Sequence, residues 1–259
     1  MLALSLEEVK RYGQAYTAVP VYKEVFADTI TPIGFLSTIK KSSNNYFLLE
    51  SLEGGEKWGR YSFIGYDPLV RIKAKDNKVE VRHTATVHFE SAEPLQAIRD
   101  ILAEYKVPAL PGIPTLTGGF VGYFSYDFVQ YCEPSLHFDP HKATELPDFD
   151  LMLFDKIIAF DHLKQKVFII VNVKTSNVEI NYHKAEREIE NIERMLQQPI
   201  AMPPFTPAKI GPLSSNQTRT IYNKNVERIK EYIRQGDVFQ TVDLSRKVQS
   251  TNSKYFKLS

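Results

Sequence analysis

Residues 48–65 read Leu-Leu-Glu-Ser-Leu-Glu-Gly-Gly-Glu-Lys-Trp-Gly-Arg-Tyr-Ser-Phe-Ile-Gly. An apolar run ends in the carboxylate of Glu50 and the hydroxyl of Ser51, Gly54-Gly55 offers a turn, and a second strand opens at Arg60. A carboxylate takes an ammonium group, and a hydroxyl can accept from an ammonium or donate to a carboxylate. At a strand edge the two are suited to a small zwitterion. Two structural roles compete with this one: Ser51 as the cap of a turn, and Glu50 as the ion-pair partner of Arg60 or Lys57. Glu53 and Glu56 are expected to solvate the turn, since no leaving group implies an acid/base set. Arg60, opening a buried strand, fits a structural ion pair, and Trp58 fits packing.

The remaining candidates carry less chemistry. Gly118, Gly119 and Gly122 lack the G-x-G-x-x-G spacing and the following helix of a phosphate loop, so close packing of the neighbouring aromatics is expected instead. His137 and His141 are four apart, but Pro140 between them opposes a helix and a zinc site. His83 and His88 lack ligand spacing, and Cys132 in its aromatic surroundings is expected to be an inert core or boundary thiol. No catalytic, metal-binding or cofactor-binding residue is assigned.

The elements that must position these groups follow from periodicity. Ser5 with Glu8 fits a capping box ahead of Leu6, Val9 and Tyr12, whereas Thr31-Pro32 breaks the helical pattern. Residues 46–51 and 61–65 read as strands. Val70, Ile72 and Ala74, then Val79 and Val81, alternate with charges around Asp76-Asn77, a half-buried hairpin. Pro94 opens a helix with Leu95, Ile98 and Leu102 on one face, and residues 107–114 form a proline-rich loop. Residues 157–160 and 167–173 form a second hairpin. Ala185, Ile189, Ile192 and Leu196 mark an amphipathic helix whose other face is charged. Five prolines within 199–215 predict a linker. Beyond it, Tyr222, Val226, Ile229 and Ile233 form a helical stripe ended by Gly236, and a strand is expected from Val238 through Val242. Hairpins with helices between and after them define an α+β class.

The chain has 259 residues, 32 basic against 31 acidic, and a hydrophobic content of 43%. That suffices for a core and gives no general electrostatic grip on nucleic acid or anionic lipid. Cys132 is the single cysteine, so no intramolecular disulfide forms. The N-terminus lacks the pattern of a secretory or transit peptide, and no apolar run approaches the ~20 residues of a membrane span. A cytoplasmic protein without nucleic-acid or membrane partners is expected.

The 48–65 segment closely resembles the start of anthranilate synthase component I, a chorismate-utilising enzyme. Gly118-Gly119-Phe120-Val121-Gly122-Tyr123 with Tyr126-Asp127, Leu146-Pro147-Asp148 leading to Phe154-Asp155, and Glu231-Tyr232-Ile233 with Gly236-Asp237-Val238-Phe239-Gln240 are similar to later blocks of that family, in the same order. The resemblance implies large antiparallel sheets packed face to face with helices outside, here incomplete. It implies a regulatory domain at 1–198, a linker at 199–215 and the start of a chorismate-binding domain at 216–259. It implies conversion of chorismate and ammonia to anthranilate and pyruvate, with Mg2+ in the complete enzyme and a glutamine amidotransferase subunit (component II) supplying ammonia. Ser51, joined by Glu50, would belong to the site where L-tryptophan inhibits.

The chain ends before the family's chorismate- and Mg2+-binding motifs, so this portion is expected to bind no metal, to be inactive alone, and to be a candidate for pairing with a complementary C-terminal fragment. Asp243 stands as an extra residue in the last motif, and a one-residue shift in a strand would turn its apolar set to the wrong face. Component I of aminodeoxychorismate synthase and a non-catalytic tryptophan-binding protein are the alternatives.

Overall fold

The computed structural model describes residues 2–26, 30–50, 59–83, 86–90, 93–133, 135–136, 146–198, 210–243 and 247–251. The chain divides into two compact units, Met1–Met202 and Pro203–Ser259.

The first unit opens with α1 (Leu6–Tyr12), β1 (Ala18–Phe26), α2 (Pro32–Ile39) and β2 (Tyr46–Leu49). It continues with β3 (Tyr61–Tyr66), β4 (Val70–Lys75), β5 (Lys78–Arg82), β6 (Thr86–Glu90) and α3 (Pro94–Ala103). It closes with β7 (Gly119–Phe124), a 3-10 turn at Tyr126–Tyr131, β8 (Phe149–Phe154), β9 (Lys156–Asp161), β10 (Lys166–Lys174) and α4 (Val178–Leu196). Two antiparallel five-stranded sheets result, in the orders β1-β10-β9-β3-β2 and β6-β5-β4-β8-β7.

Alternation along β9 and β10 divides the first sheet between two cores. Ile158, Phe160, Val167 and Ile169 meet the apolar stripe of α4 (Ala185, Ile189, Ile192, Leu196), together with Val9 of α1 and Phe35 and Ile39 of α2. Ile157, Ala159, Phe168 and Ile170 face the other way, onto Val121, Met152 and Phe154 of the second sheet. The sheets thus pack face to face. α3 covers the far face of the second sheet through Ile98, against Ile72, Ala74, Phe149 and Leu151.

The capping box is present: the Ser5 N–H donates to the Glu8 carboxylate at 2.8 Å and the Glu8 N–H to Ser5 Oγ. Asp76 and Asn77 both take positive φ (49° and 63°), the geometry of a two-residue hairpin turn between β4 and β5. The expected break at Thr31-Pro32 is instead a helix start. Thr31 Oγ1 accepts from the Gly34 N–H at 3.1 Å and Pro32 occupies the first turn, where its missing N–H costs nothing. Aromatic packing is not what selects the glycines before and within β7. A Cβ on Gly118 would fall 2.7 Å from the Asn172 amide nitrogen, and one on Gly122 2.0 Å from the Asp150 carbonyl oxygen. Gly119 needs glycine for its φ of +131°. Cys132 is exposed rather than a core or boundary thiol, because the 3-10 turn turns its end to solvent.

In the second unit, β11 (Ile210–Ser215) pairs with β12 (Lys247–Thr251), and α5 (Arg219–Gln235) lies between them in sequence. β11 falls inside the stretch expected to be a linker over 199–215. A strand accommodates Pro212 because it sits at a register irregularity in a two-stranded pairing, where a ladder donor can be spared. Gly236 ends α5 in the left-handed conformation, φ 83°, as its position predicts. The strand expected at 238–242 is absent: Phe239 and Val242 are exposed, without a pairing partner among the described residues. Asp243 accepts from Gln217 Nε2 at 3.2 Å and from Asn225 Nδ2 at 3.4 Å, so its carboxylate ties this segment to α5.

Candidate functional site

β2 is the short edge strand of the first sheet and carries the chain toward the Glu-Ser pair. It is held to β3 in the register Tyr46↔Tyr66, Phe47↔Gly65, Leu48↔Ile64, Leu49↔Phe63. Phe47 lies over Gly65 and meets the Phe154 ring edge-on at 4.8 Å between centroids, which fixes β2 against both sheets. Glu50 follows directly, exposed at the strand end and without an ion pair among the described residues. Ser51, Glu53, Gly54, Gly55, Glu56, Lys57 and Trp58 lie outside the described residues, as do His137 and His141.

Arg60 resolves one of the open alternatives. Its Nε and Nη2 donate to the two carboxylate oxygens of Asp161 at 3.0 and 2.6 Å. Asp161 Oδ1 also accepts the Leu163 and Lys164 N–H groups at 3.1 Å each, closing the β9–β10 turn. Burial opposes the charge on Asp161, but the guanidinium and the two N–H donors outweigh it and hold the carboxyl below the usual aspartate range. Arg60 is thus committed to a fork-shaped ion pair and is not the partner of Glu50. Sequence reasoning missed Asp161, since the partners stand 101 positions apart and only the β3–β9 register brings them together.

Beside this pair, Ser62 Oγ lies 2.7 Å from His162 Nε2. The contact does not make a nucleophile. Ser62 is buried, and the adjacent Asp161 is spent on Arg60, so no carboxylate orients the imidazole as a catalytic triad requires. Among the described residues no group of three His, Cys, Asp or Glu side chains is placed to hold a metal ion, and no helix is long and apolar enough to cross a membrane. At this end of the first sheet the edge strand presents Glu50, exposed, while the Arg60 guanidinium is neutralised by Asp161.

Two packed antiparallel sheets with outer helices make an α+β domain, and its edge strand β2 leads the chain toward the Glu-Ser pair. The chain belongs to the chorismate binding enzyme family, whose model matches residues 44–258. It is 36% identical over 263 residues to anthranilate synthase component 1 of Acetivibrio thermocellus, covering 98% of this chain and 53% of the relative. The protein of that name from Acinetobacter calcoaceticus is 37% identical over 248 residues, covering 93% and 49%. The chain spans about half the length of these curated relatives. The crystal structure of anthranilate synthase component I from Streptococcus pneumoniae shares the fold with a TM-score of 0.54 at 20% identity, over 82% of this chain and 46% of that one.

Proposed function

We propose that this chain supplies the N-terminal, effector-binding portion of an anthranilate synthase component I, with L-tryptophan as the ligand of Ser51 and Glu50. The observation that carries the reading is the near-complete match of this chain to half of the component 1 relatives, at 36% identity. The exposed carboxylate of Glu50 at the end of a register-locked edge strand supports it, because Arg60 is already paired with Asp161 and an ammonium group can be received there without displacing it. In this reading the complete enzyme converts chorismate and ammonia to anthranilate and pyruvate in the cytoplasm, with Mg2+ as cofactor and component II delivering ammonia.

In this reading the chain by itself is inactive, and activity needs the other half of the component 1 length, supplied in the same polypeptide or as a separate fragment. Calorimetric titration of the 259-residue chain with L-tryptophan tests the effector role: binding is expected, and Ser51→Ala is expected to weaken it at least tenfold. Equal affinity of the variant and the unaltered chain would refute the assignment. An assay with chorismate, Mg2+ and ammonium should give anthranilate only when the C-terminal half is added.

A further inference from the structure

The two sheets exchange strands at neighbouring corners. β3 leaves the first sheet through Asp67 (φ 49°) to enter β4 of the second, and β8 leaves the second through the single residue Asp155 to enter β9 of the first. The Leu69 N–H donates to the Leu153 carbonyl at 2.8 Å and locks the corners side by side. α4 passes across the outside, and together these elements enclose a cleft of about 570 Å³ at the end of the domain that holds Tyr66, away from Glu50.

Most charged groups around the cleft are already satisfied. Lys156 Nζ is paired with Glu188 at 2.8 Å and lies 4.3 Å from the centre of the Tyr66 ring, and Asp67 accepts from Ser43 Oγ at 2.6 Å. Asp155 differs. Its backbone carbonyl accepts from the Asn172 N–H at 2.8 Å and from Asn172 Nδ2 at 3.1 Å, but its carboxylate has no ion pair and no hydrogen bond to another residue among the described ones. Burial raises its affinity for a proton, although Lys156 and Lys174 pull the other way. Around the same cleft, Lys174 rests its ammonium 4.7 Å from the centre of the Tyr105 ring, and the exposed Lys184 of α4 has no ion pair or hydrogen bond among the described residues. Leu69, Val173 and Tyr105 supply apolar wall between the two kinds of charge.

Asp155 is half-buried, so its carboxylate loses part of its hydration without an ion pair among the described residues, and a ligand ammonium that reaches it gains a charge-assisted contact the fold leaves open. A phosphate-like anion would meet that carboxylate, and a divalent cation, although Asp155 and Asn172 Oδ1 both offer unpaired oxygens among the described residues, would be repelled by the ammonium groups of Lys156 and Lys174 beside them. We propose that this cleft binds a small zwitterion of the α-amino-acid class with an apolar side chain, its ammonium on Asp155 and its carboxylate between Lys174 and Lys184. The site lies at the opposite end of β2 from Glu50 and does not depend on the effector assignment.

The test is a titration of the 259-residue protein with L-phenylalanine, followed by amide 1H–15N shifts. Phenethylamine (without the carboxylate) and 3-phenylpropionate (without the amine) serve as controls. Saturable shifts are expected at residues 155–156, 172–174 and 181–188, with each control at least tenfold weaker. Asp155→Asn should weaken L-phenylalanine at least tenfold and Lys184→Glu several-fold. Both keep the fold, since one removes a half-buried charge that has no ion pair among the described residues and the other is on an exposed helix face. The proposal is overturned if no saturable shift occurs by about 10 mM, ten times a millimolar Kd, or if Asp155→Asn binds as tightly as the unaltered chain. Shifts confined to the neighbourhood of Glu50 also overturn it, while leaving the effector assignment standing.

Discussion

Gly65→Ala tests the contact that sets the edge strand in place. A Cβ at this position falls 2.3 Å from Cε1 of Phe47, 3.0 Å from its Cζ and 3.1 Å from Cδ1 of Phe154. Carbon atoms prefer separations of about 3.5–4.0 Å, so the Phe47 ring must retreat by more than an ångström. It has nowhere to go, because it is buried and its other side meets Phe154. Overpacking of this kind costs about 1–3 kcal/mol. Restricting the unfolded chain by the added methyl returns about 0.4–1 kcal/mol, since Gly65 does not hold a positive φ. A net loss of about 1–2 kcal/mol is expected, a fall in Tm of about 2–8 °C for a unit of this size. Phe47→Ala alone should cost about 3–5 kcal/mol. In that background the methyl enters vacated space, and Gly65→Ala should become neutral or stabilising, giving a coupling of about 1–3 kcal/mol. Urea unfolding followed by far-ultraviolet circular dichroism, with unchanged m-values, measures all four corners of the cycle. Additivity within about 0.5 kcal/mol would show that Phe47 and Gly65 do not meet, and the β2 register would fall with that result.

Two further outcomes follow from the carboxylates at opposite ends of the first sheet. The folded-state pKa of Asp161 is depressed, so its contribution to stability is present above the unfolded carboxyl value of about 3.9 and is lost as pH falls through the folded value. Asp161→Asn should therefore lower Tm at pH 7 and converge on the unaltered protein in strong acid; an equal deficit at both pH values would refute the ion-pair account. Asp155 has the opposite sign. Its folded pKa is raised by burial among Lys156, Lys174 and Glu188, with Asp67, His83 and Lys184 around the same cleft, so the stability it permits below about pH 3.9 is lost as pH rises through the folded value. Asp155→Asn is expected to raise Tm at pH 7 and leave it unchanged in acid, and a fall at pH 7 would show that the carboxylate has a partner in solution.

Local chemistry made much of this fold legible. The Ser5–Glu8 box, the Asp76-Asn77 turn, the α4 stripe and the Gly236 helix end all depend on residues within a few positions of one another, and each stands where its residues predict. The site was less legible. The commitment of Arg60 to Asp161 and the convergence of Asp155, Lys174 and Lys184 arise from strand order and from two crossings between sheets, which leave no mark at short range. Thr31-Pro32 shows how one local signal serves two outcomes: a residue barred from the helical region ends one helix as readily as it caps the next. Pro212 shows the converse, since a proline that excludes a central strand still fits a two-stranded edge.

α4 and α5 put the same point in terms of partners. Both carry apolar residues at helical spacing with charges elsewhere, and α5 ends at Gly236 as that glycine predicts. On α4 the stripe is buried, because β1 and β10 of the first sheet lie beneath it. On α5 no residue is buried, and Ile221, Tyr222 and Ile233 face solvent. A stripe of that kind records a surface that has evolved to be covered, since helical propensity alone does not require it. The two-stranded pairing of β11 and β12 is likewise marginal as an independent sheet, and the described residues of the second unit bury no apolar side chain into a core.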